Sequence, residues 1–237
     1  PHDQSMSHLL RQLIPLPCIL CEQNQINSSG FCEPCLNDLP WLTKACPYCA
    51  IPWRLHRDSL GCPSPRHSID RCTAVFEYTF PLPQLMMQFK QQAFLAAGRA
   101  LAVCLAQAIS TYPASIEALV PIPSSRRALR RRGYNPALEI SRTVGQILKI
   151  PVVDHWLGVS DAKRDQKHLP RADRLRAKDN SFHAKRPCKA THLVIIDDVM
   201  TTLSTINQVA RLFKAQGAQQ VDAWAVCRTL PPPPRPT

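Results

Sequence analysis

Glycine is scarce in this chain, with 7 residues in 237. A glycine-rich nucleotide cradle of the P-loop kind, with its invariant lysine, is therefore excluded. Acid is also in short supply: Asp and Glu number 17 against 29 Lys and Arg, a formal charge of +12. That balance favours anionic partners such as nucleic acid, phosphorylated metabolites or anionic membrane, although a soluble basic protein can carry it with no polyanion at all. No apolar run approaches the length that crosses a bilayer. The opening PHDQSMSHLL has no charged segment followed by an apolar one, so no secretory signal and a cytoplasmic location are expected. No repeat of solenoid period is present.

Proline (23) and cysteine (11) are abundant instead. In a reducing compartment, so many thiols point to metal before disulfides. The composition divides the chain into four stretches. Residues 1–17 read as a loose or helical lead. Residues 18–72 are rich in cysteine and proline with little apolar periodicity, as in a small metal-stapled module. Residues 73–230 carry regular apolar patterns, and residues 231–237 (PPPPRPT) read as a disordered tail.

Within 73–230, TAVFEYTF (73–80), ALVPIP (118–123), LVII (193–196) and VDAWAV (221–226) read as strands. Helical faces are formed by Phe94, Ala97, Leu101, Leu105 and Ala108, by Ile140, Val144 and Ile147, and by Ile206, Val209, Ala210 and Phe213. Asn135 is placed to cap the middle helix ahead of Pro136, and Gly217 to stop the last. Apolar strands alternating with helices predict an α/β fold with a parallel sheet covered on both faces. Residues 154–186 break the pattern with a polar, basic insert, which in a compact domain marks a functional or mobile segment.

Cys18-x2-Cys21 and Cys32-x2-Cys35 are two CxxC knuckles with ten residues between them. Four thiolates so spaced complete a tetrahedral Zn²⁺ site; redox pairs or buried free thiols are the alternatives. Cys46-x2-Cys49 is a third knuckle, with Cys62 as a further ligand. Pro65 stands where a fourth CxxC would need cysteine, which leaves His56, His67 or Cys72 as substitutes. Cys104, Cys188 and Cys227 fall on core faces or edges and read as buried thiols. His155, His168, His183 and His192 show no ligand spacing and read as surface residues.

In LVIIDDVMTTLST (193–205), Asp197 and Asp198 follow the most apolar strand. Ligands of open α/β sheets bind at the carboxyl ends of strands. Adjacent carboxylates repel and call for donors or a cation, and vicinal ribose hydroxyls or Mg²⁺ satisfy them. The helix N-terminus behind Thr201, Thr202, Ser204 and Thr205 attracts phosphate. An acidic cap on a threonine-rich first turn would read the same way.

These thirteen residues resemble the motif by which type I phosphoribosyltransferases bind phosphoribosyl pyrophosphate (PRPP). VPIPSSRRALRRRGYN (Val120–Asn135) resembles the VP-x-P…R…RG[FY]N segment of the ComF family, also called the ComFC or GntX type. Arg164, Gln166, Leu169, Arg174, Asn180 and Phe182 fit that family's R…Q-x-x-L…R…N…F pattern, and VDAWAVCRTL is similar to its last strand. The cysteine module stands where those proteins carry a zinc finger. The resemblance spans Cys18 to Leu230.

It implies a type I phosphoribosyltransferase fold behind a structural zinc module. It also implies PRPP with Mg²⁺ as ligand, and phosphoribosyl transfer, a chemistry of nucleoside metabolism, to an acceptor that no residue identifies. Asp197 and Asp198 would meet the ribose hydroxyls and Thr201 to Thr205 the 5′-phosphate. The Pro123, Ser124 and Ser125 loop, with Arg126, would meet the pyrophosphate. Arg164 and Gln166 would lie in a flap over the site. The family's association with natural competence adds single-stranded DNA and proteins of the competence machinery as candidate partners. Two positions depart: Pro65, which weakens the second metal site, and Leu203, which stands where the motif has glycine. Leucine resists the left-handed backbone, at about 1–2 kcal/mol, so weaker phosphate binding or a reshaped turn is expected.

Arg126, Arg127, Arg130, Arg131 and Arg132 lie within seven residues, beside Tyr134. Such a segment (126–134) can meet pyrophosphate, or track single-stranded DNA with an aromatic for stacking; a solvated basic helix face is the plainer explanation. The sequence thus admits an enzyme of the transferase class, and also a DNA- or protein-binding competence factor whose PRPP site is vestigial.

Overall fold

The computed structural model describes residues 17–23, 29–55, 62, 68–112, 115–159 and 182–231. In chain order the elements are α1 (Glu33–Asn37), a short 3-10 turn (Trp53–Leu55), β1 (Arg71–Glu77), α2 (Leu82–Gln92), α3 (Leu95–Ala108) and β2 (Ala118–Pro121). Then follow α4 (Arg126–Arg132), α5 (Pro136–Leu148), β3 (Leu157–Val159), β4 (Phe182–Ala184), β5 (His192–Met200), α6 (Ser204–Ala215) and β6 (Gln220–Arg228).

Four strands form one parallel sheet in the order β1-β6-β5-β2. The central strands are apolar at nearly every position because both faces are covered. Val194, Ile196, Trp224 and Val226 face a layer built from α2, α3 and α5. Leu193, Ile195, Val221 and Ala223 face α6 and the Cys46–Cys49 knuckle. Each such Val, Leu or Ile side chain removed from water stabilises the fold by about 1.5–3 kcal/mol. The expected parallel, doubly covered α/β sheet is therefore present, with the cysteine-rich module packed against it. Among the described residues, no helix is long and apolar enough to cross a membrane.

Several boundaries differ from the sequence-based expectation. β1 runs from Arg71 to Glu77 rather than from 73 to 80. β5 does not end at Ile196: ladder hydrogen bonding with β6 carries it through both aspartates to Met200. Helix α2 was not anticipated, although Leu82, Leu85, Met86 and Phe89 have helical spacing and are all buried. Phe94 caps α3 and is partly exposed, and Ala108 and Ile147 are exposed. The 154–186 insert is not wholly irregular, since β3 and β4 pair antiparallel as its two ends. The lead (1–16), the tail beyond 231, His56, His67, His168, Arg164 and Gln166 lie outside the described residues.

His192 is not a surface residue. It is buried, with Nε2 at 3.0 Å from Asp222 Oδ2 and Nδ1 at 3.0 Å from Ser115 Oγ. This chain of polar contacts closes the amino-terminal edge of the sheet, opposite the acid pair. His155 and His183 are exposed as expected, and Cys104 and Cys227 are fully buried.

Two close approaches hold the helical layer. A Cβ at Gly98 would stand 2.2 Å from the Phe89 ring, so only glycine lets α2 cross α3 this closely. Gly30, at φ +90°, would bring a Cβ to 3.3 Å from Ala100 on α3, which seats the first cysteine module on the same layer.

Candidate functional site

β2 and β5 are parallel neighbours, so their carboxyl ends open on one edge. β2 stops at Pro121, opposite Ile196, and the amide of Ile122 donates to Ile196 O at 2.9 Å. Beyond that point β5 loses its partner on this side. Asp197 and Asp198 are the next two residues, and among the described strands β6 alone flanks them, across Ala225. The acids thus sit in the crevice that a shorter neighbour leaves open.

Asp197 Oδ1 accepts from the Asp198 amide at 2.8 Å, and Asp198 Oδ1 accepts from Lys90 Nζ at 2.8 Å. Burial, then the neighbouring Asp198 carboxylate, raise Asp197 to about 7; the Asp198 amide and Lys90 oppose that rise. Lys90 was missed in the sequence because it belongs to α2, which was itself missed.

After Met200 the chain turns through Thr201, Thr202 and Leu203 into α6. Leu203 takes the left-handed conformation, φ 62° and ψ −1°, at the N-cap of α6. The turn thus keeps the backbone that glycine would give. The cost is offset by burial: Leu203 is 3% exposed and packs into the core beside Ile206 and Val209. Its side chain points away from the mouth of the turn. Thr201, Thr202, Ser204 and Thr205 are exposed around it, with Thr202 Oγ1 at 3.0 Å from Ser204 Oγ. The first turn of a 12-residue helix therefore lies beside the acid pair, its Ser204 amide donating to Thr202 Oγ1 at 3.4 Å.

The loop after β2 is tied down by Asn135. Its Oδ1 accepts from Ser124 Oγ (3.0 Å) and from the Ala137 amide (3.2 Å), and its Nδ2 donates to Ile122 O (2.9 Å). One side chain thus caps α5, as expected, and holds the Pro123–Ser125 loop at the carboxyl edge. Ser125 caps α4 through the Ala128 amide at 3.2 Å. Arg126, Arg127, Arg130 and Arg131 are exposed on α4. Tyr134 does not serve as a stacking platform: its ring packs on Phe89 and its hydroxyl donates to Phe89 O.

Both cysteine groups assemble. The sulfurs of Cys18, Cys21, Cys32 and Cys35 lie within 4.8 Å of one another, as do those of Cys46, Cys49 and Cys62. All are free thiols. Four sulfurs at that spacing suit a tetrahedral metal such as Zn²⁺. Burial raises the Cys18 thiol, but hydrogen bonds from Cys21, Cys32 and Leu20 outweigh it and lower Cys18 to about 6, toward the thiolate that a metal takes. In the second group, burial pushes Cys49 up to about 12, with Cys46 and Cys62 adding to it, so the Cys49 thiol resists ionising without a cation. Cys72 is outside that group. It is fully engaged in β1, its amide donating to Pro47 O at 2.7 Å, and its thiol is raised by burial.

Fold and site together define a class: a parallel α/β protein with a thiol-rich module whose clusters could hold metal, and an acid pair leading into a helix N-terminus. No family model matches the chain. Curated relatives do. It is 31% identical over 238 aligned positions to DNA utilization protein YhgH of Salmonella typhi, covering 92% of this chain and 99% of that one. It is 27% identical to competence protein F of Haemophilus influenzae, over 89% and 96% of the two chains, and 28% identical to YhgH of Escherichia coli K12, over 92% and 99%. The chain belongs to this ComF/YhgH family, the one its motifs resemble. Among solved structures it overlaps a purine phosphoribosyltransferase from Pyrococcus horikoshii at 16% identity, over 56% of this chain and 82% of that one, with a TM-score of 0.34.

Proposed function

We propose that the chain binds PRPP with Mg²⁺ as a ComF-type phosphoribosyltransferase and serves the use of incoming DNA. The observation that carries this is the acid pair of β5 running through a left-handed Leu203 turn into the N-terminus of α6. Asp197 and Asp198 accept from the ribose hydroxyls. The Thr201–Thr205 hydroxyls and the first α6 amides donate to the 5′-phosphate. The Ser124–Ser125 loop and Arg126 face the pyrophosphate. Two carboxylates are hard oxygen donors and suit Mg²⁺, which when bound supplies positive charge to the departing pyrophosphate. Lys90 neutralises Asp198 until that charge arrives, and Asp197, near 7, gives up its proton as the ligand binds. The acceptor is not identified by any side chain. The names of the relatives, which refer to DNA utilization and competence, support the setting.

A second reading, a non-catalytic competence factor binding single-stranded DNA or protein, is favoured by the exposed arginines of α4. Titration of wild type and Asp197→Asn/Asp198→Asn with PRPP and with a single-stranded oligonucleotide separates the two. The proposal expects the double variant to lose PRPP binding and keep DNA binding. Oligonucleotide binding with no PRPP binding in wild type would leave only the second reading.

A further inference from the structure

Arg228 ends β6 and is buried, 5% exposed. Among the described residues no carboxylate pairs with it. Its guanidinium donates to backbone carbonyls alone. Nε reaches Cys49 O at 2.7 Å; Nη1 reaches Met200 O and Thr229 O, each at 3.1 Å, and also Thr201 O. Apart from that of the adjoining Thr229, these carbonyls belong to two separate places. Cys49 is a ligand candidate of the second thiol group, whereas Met200 and Thr201 are the last strand residue and the first turn residue before α6.

A buried cation without a counter-charge is costly, and breaking up its surroundings is costlier still. The Cys49 knuckle that Arg228 touches belongs to the Cys46, Cys49 and Cys62 group, and in a metal-bound form three thiolates around a divalent ion would leave net negative charge there. A rigid fork reaches both that group's knuckle and the turn, which a lysine ammonium could not do with the same geometry.

We propose that Arg228 is a positioning residue that couples the second thiol centre to the phosphate turn. A divalent metal of the zinc class at Cys46, Cys49 and Cys62 holds Arg228 in place, and Arg228 in turn fixes the Met200 and Thr201 carbonyls. Loss of that metal by chelation loosens the turn, whose Thr201 lies 27 residues before Arg228, without touching the acids. The consequence for phosphate binding rests on the PRPP reading above; the coupling itself does not.

Hydrogen exchange of the 199–206 amides, measured on the zinc-loaded full chain, tests it. Wild type, Cys62→Ser, Arg228→Met, Arg228→Lys and the Cys62→Ser/Arg228→Met pair are compared. Retention of the metal held by Cys18, Cys21, Cys32 and Cys35, read by native mass spectrometry, serves as the fold control. Cys62→Ser and Arg228→Met should each speed exchange at the turn by about tenfold, and the pair should do no more than either alone. Arg228→Lys should fall between wild type and Arg228→Met. Unchanged exchange in Cys62→Ser after loss of one metal overturns the proposal, as does full additivity, or a wild type that takes up only one metal. Should Arg228→Met fail the fold control, Cys62→Ser and Arg228→Lys still decide the matter. PRPP titration of the same proteins is a separate readout: if wild type binds none, the cradle reading fails while the exchange result stands.

Discussion

Leu203 carries two opposing effects in one side chain. Its left-handed backbone costs about 1–2 kcal/mol, while its burial returns about as much or more. Leu203→Ala keeps the strain and loses the packing, so it should destabilise by about 2–4 kcal/mol in chemical denaturation. Leu203→Gly loses the same packing but relieves the strain, and should retain about 1 kcal/mol more than the alanine variant. Because the backbone already has the glycine-like conformation, Leu203→Gly should leave PRPP affinity within about threefold of wild type. Asp197 sets the pH dependence at the same scale. Its folded-state value, about 7, lies above the usual carboxylate range, so the folded chain binds this proton more tightly than the unfolded one. The resulting stabilisation is present at low pH and is lost as pH rises toward 7. Asp197→Asn should therefore gain stability relative to wild type across that interval. PRPP·Mg²⁺ affinity should rise with pH until about 7, since binding needs the ionised acid.

At the scale of elements, the site depends on strand lengths and on one capping residue. Asn135 ties the Ser124 loop to the start of α5, so Asn135→Ala should cost about 1–2 kcal/mol of stability and weaken PRPP binding through the loop. Ser124→Ala, which removes one of those contacts, should do less of both. The strand and helix pattern of β2, β5, α5, α6 and β6 was legible because their apolar periods are strong and their stops are proline, asparagine and glycine. The acid pair and its turn were legible for the same reason, as a fixed order of residue types along one segment. The end of β5 was misplaced because polar Asp197 and Asp198 hide a ladder made by backbone groups. Lys90 and Arg228 were not legible as site residues. Lys90 comes from a helix 108 positions away from its partner, and Arg228 acts through carbonyls, which leave no mark on side-chain identity. The buried His192–Asp222 contact was missed likewise, because it arises from strand neighbours distant in sequence.

At the scale of the molecule, the two thiol groups brace opposite faces of one sheet. Cys18 and Cys32 join the α3 side with Phe31 and Leu101, and Cys46 and Cys49 join the α6 side with Ile206 and Val209. Metal at each centre should therefore add to the stability of the whole sheet. Zinc analysis of the folded chain should find metal in both, and a strong chelator should lower the melting temperature rather than merely free a loose appendage. A metal-free chain that melts as the loaded one does would remove the structural role. Basic charge of +12 draws anions to this molecule in general, so only a specific ligand separates a built site from a diffuse field. The decisive measurement is the calorimetric affinity of the full chain for PRPP at neutral pH, with and without Mg²⁺, in wild type and in Asp197→Asn/Asp198→Asn. The account predicts saturable binding that Mg²⁺ strengthens and that the double substitution abolishes; no binding in wild type under either condition, or equal binding in the double variant, would contradict it.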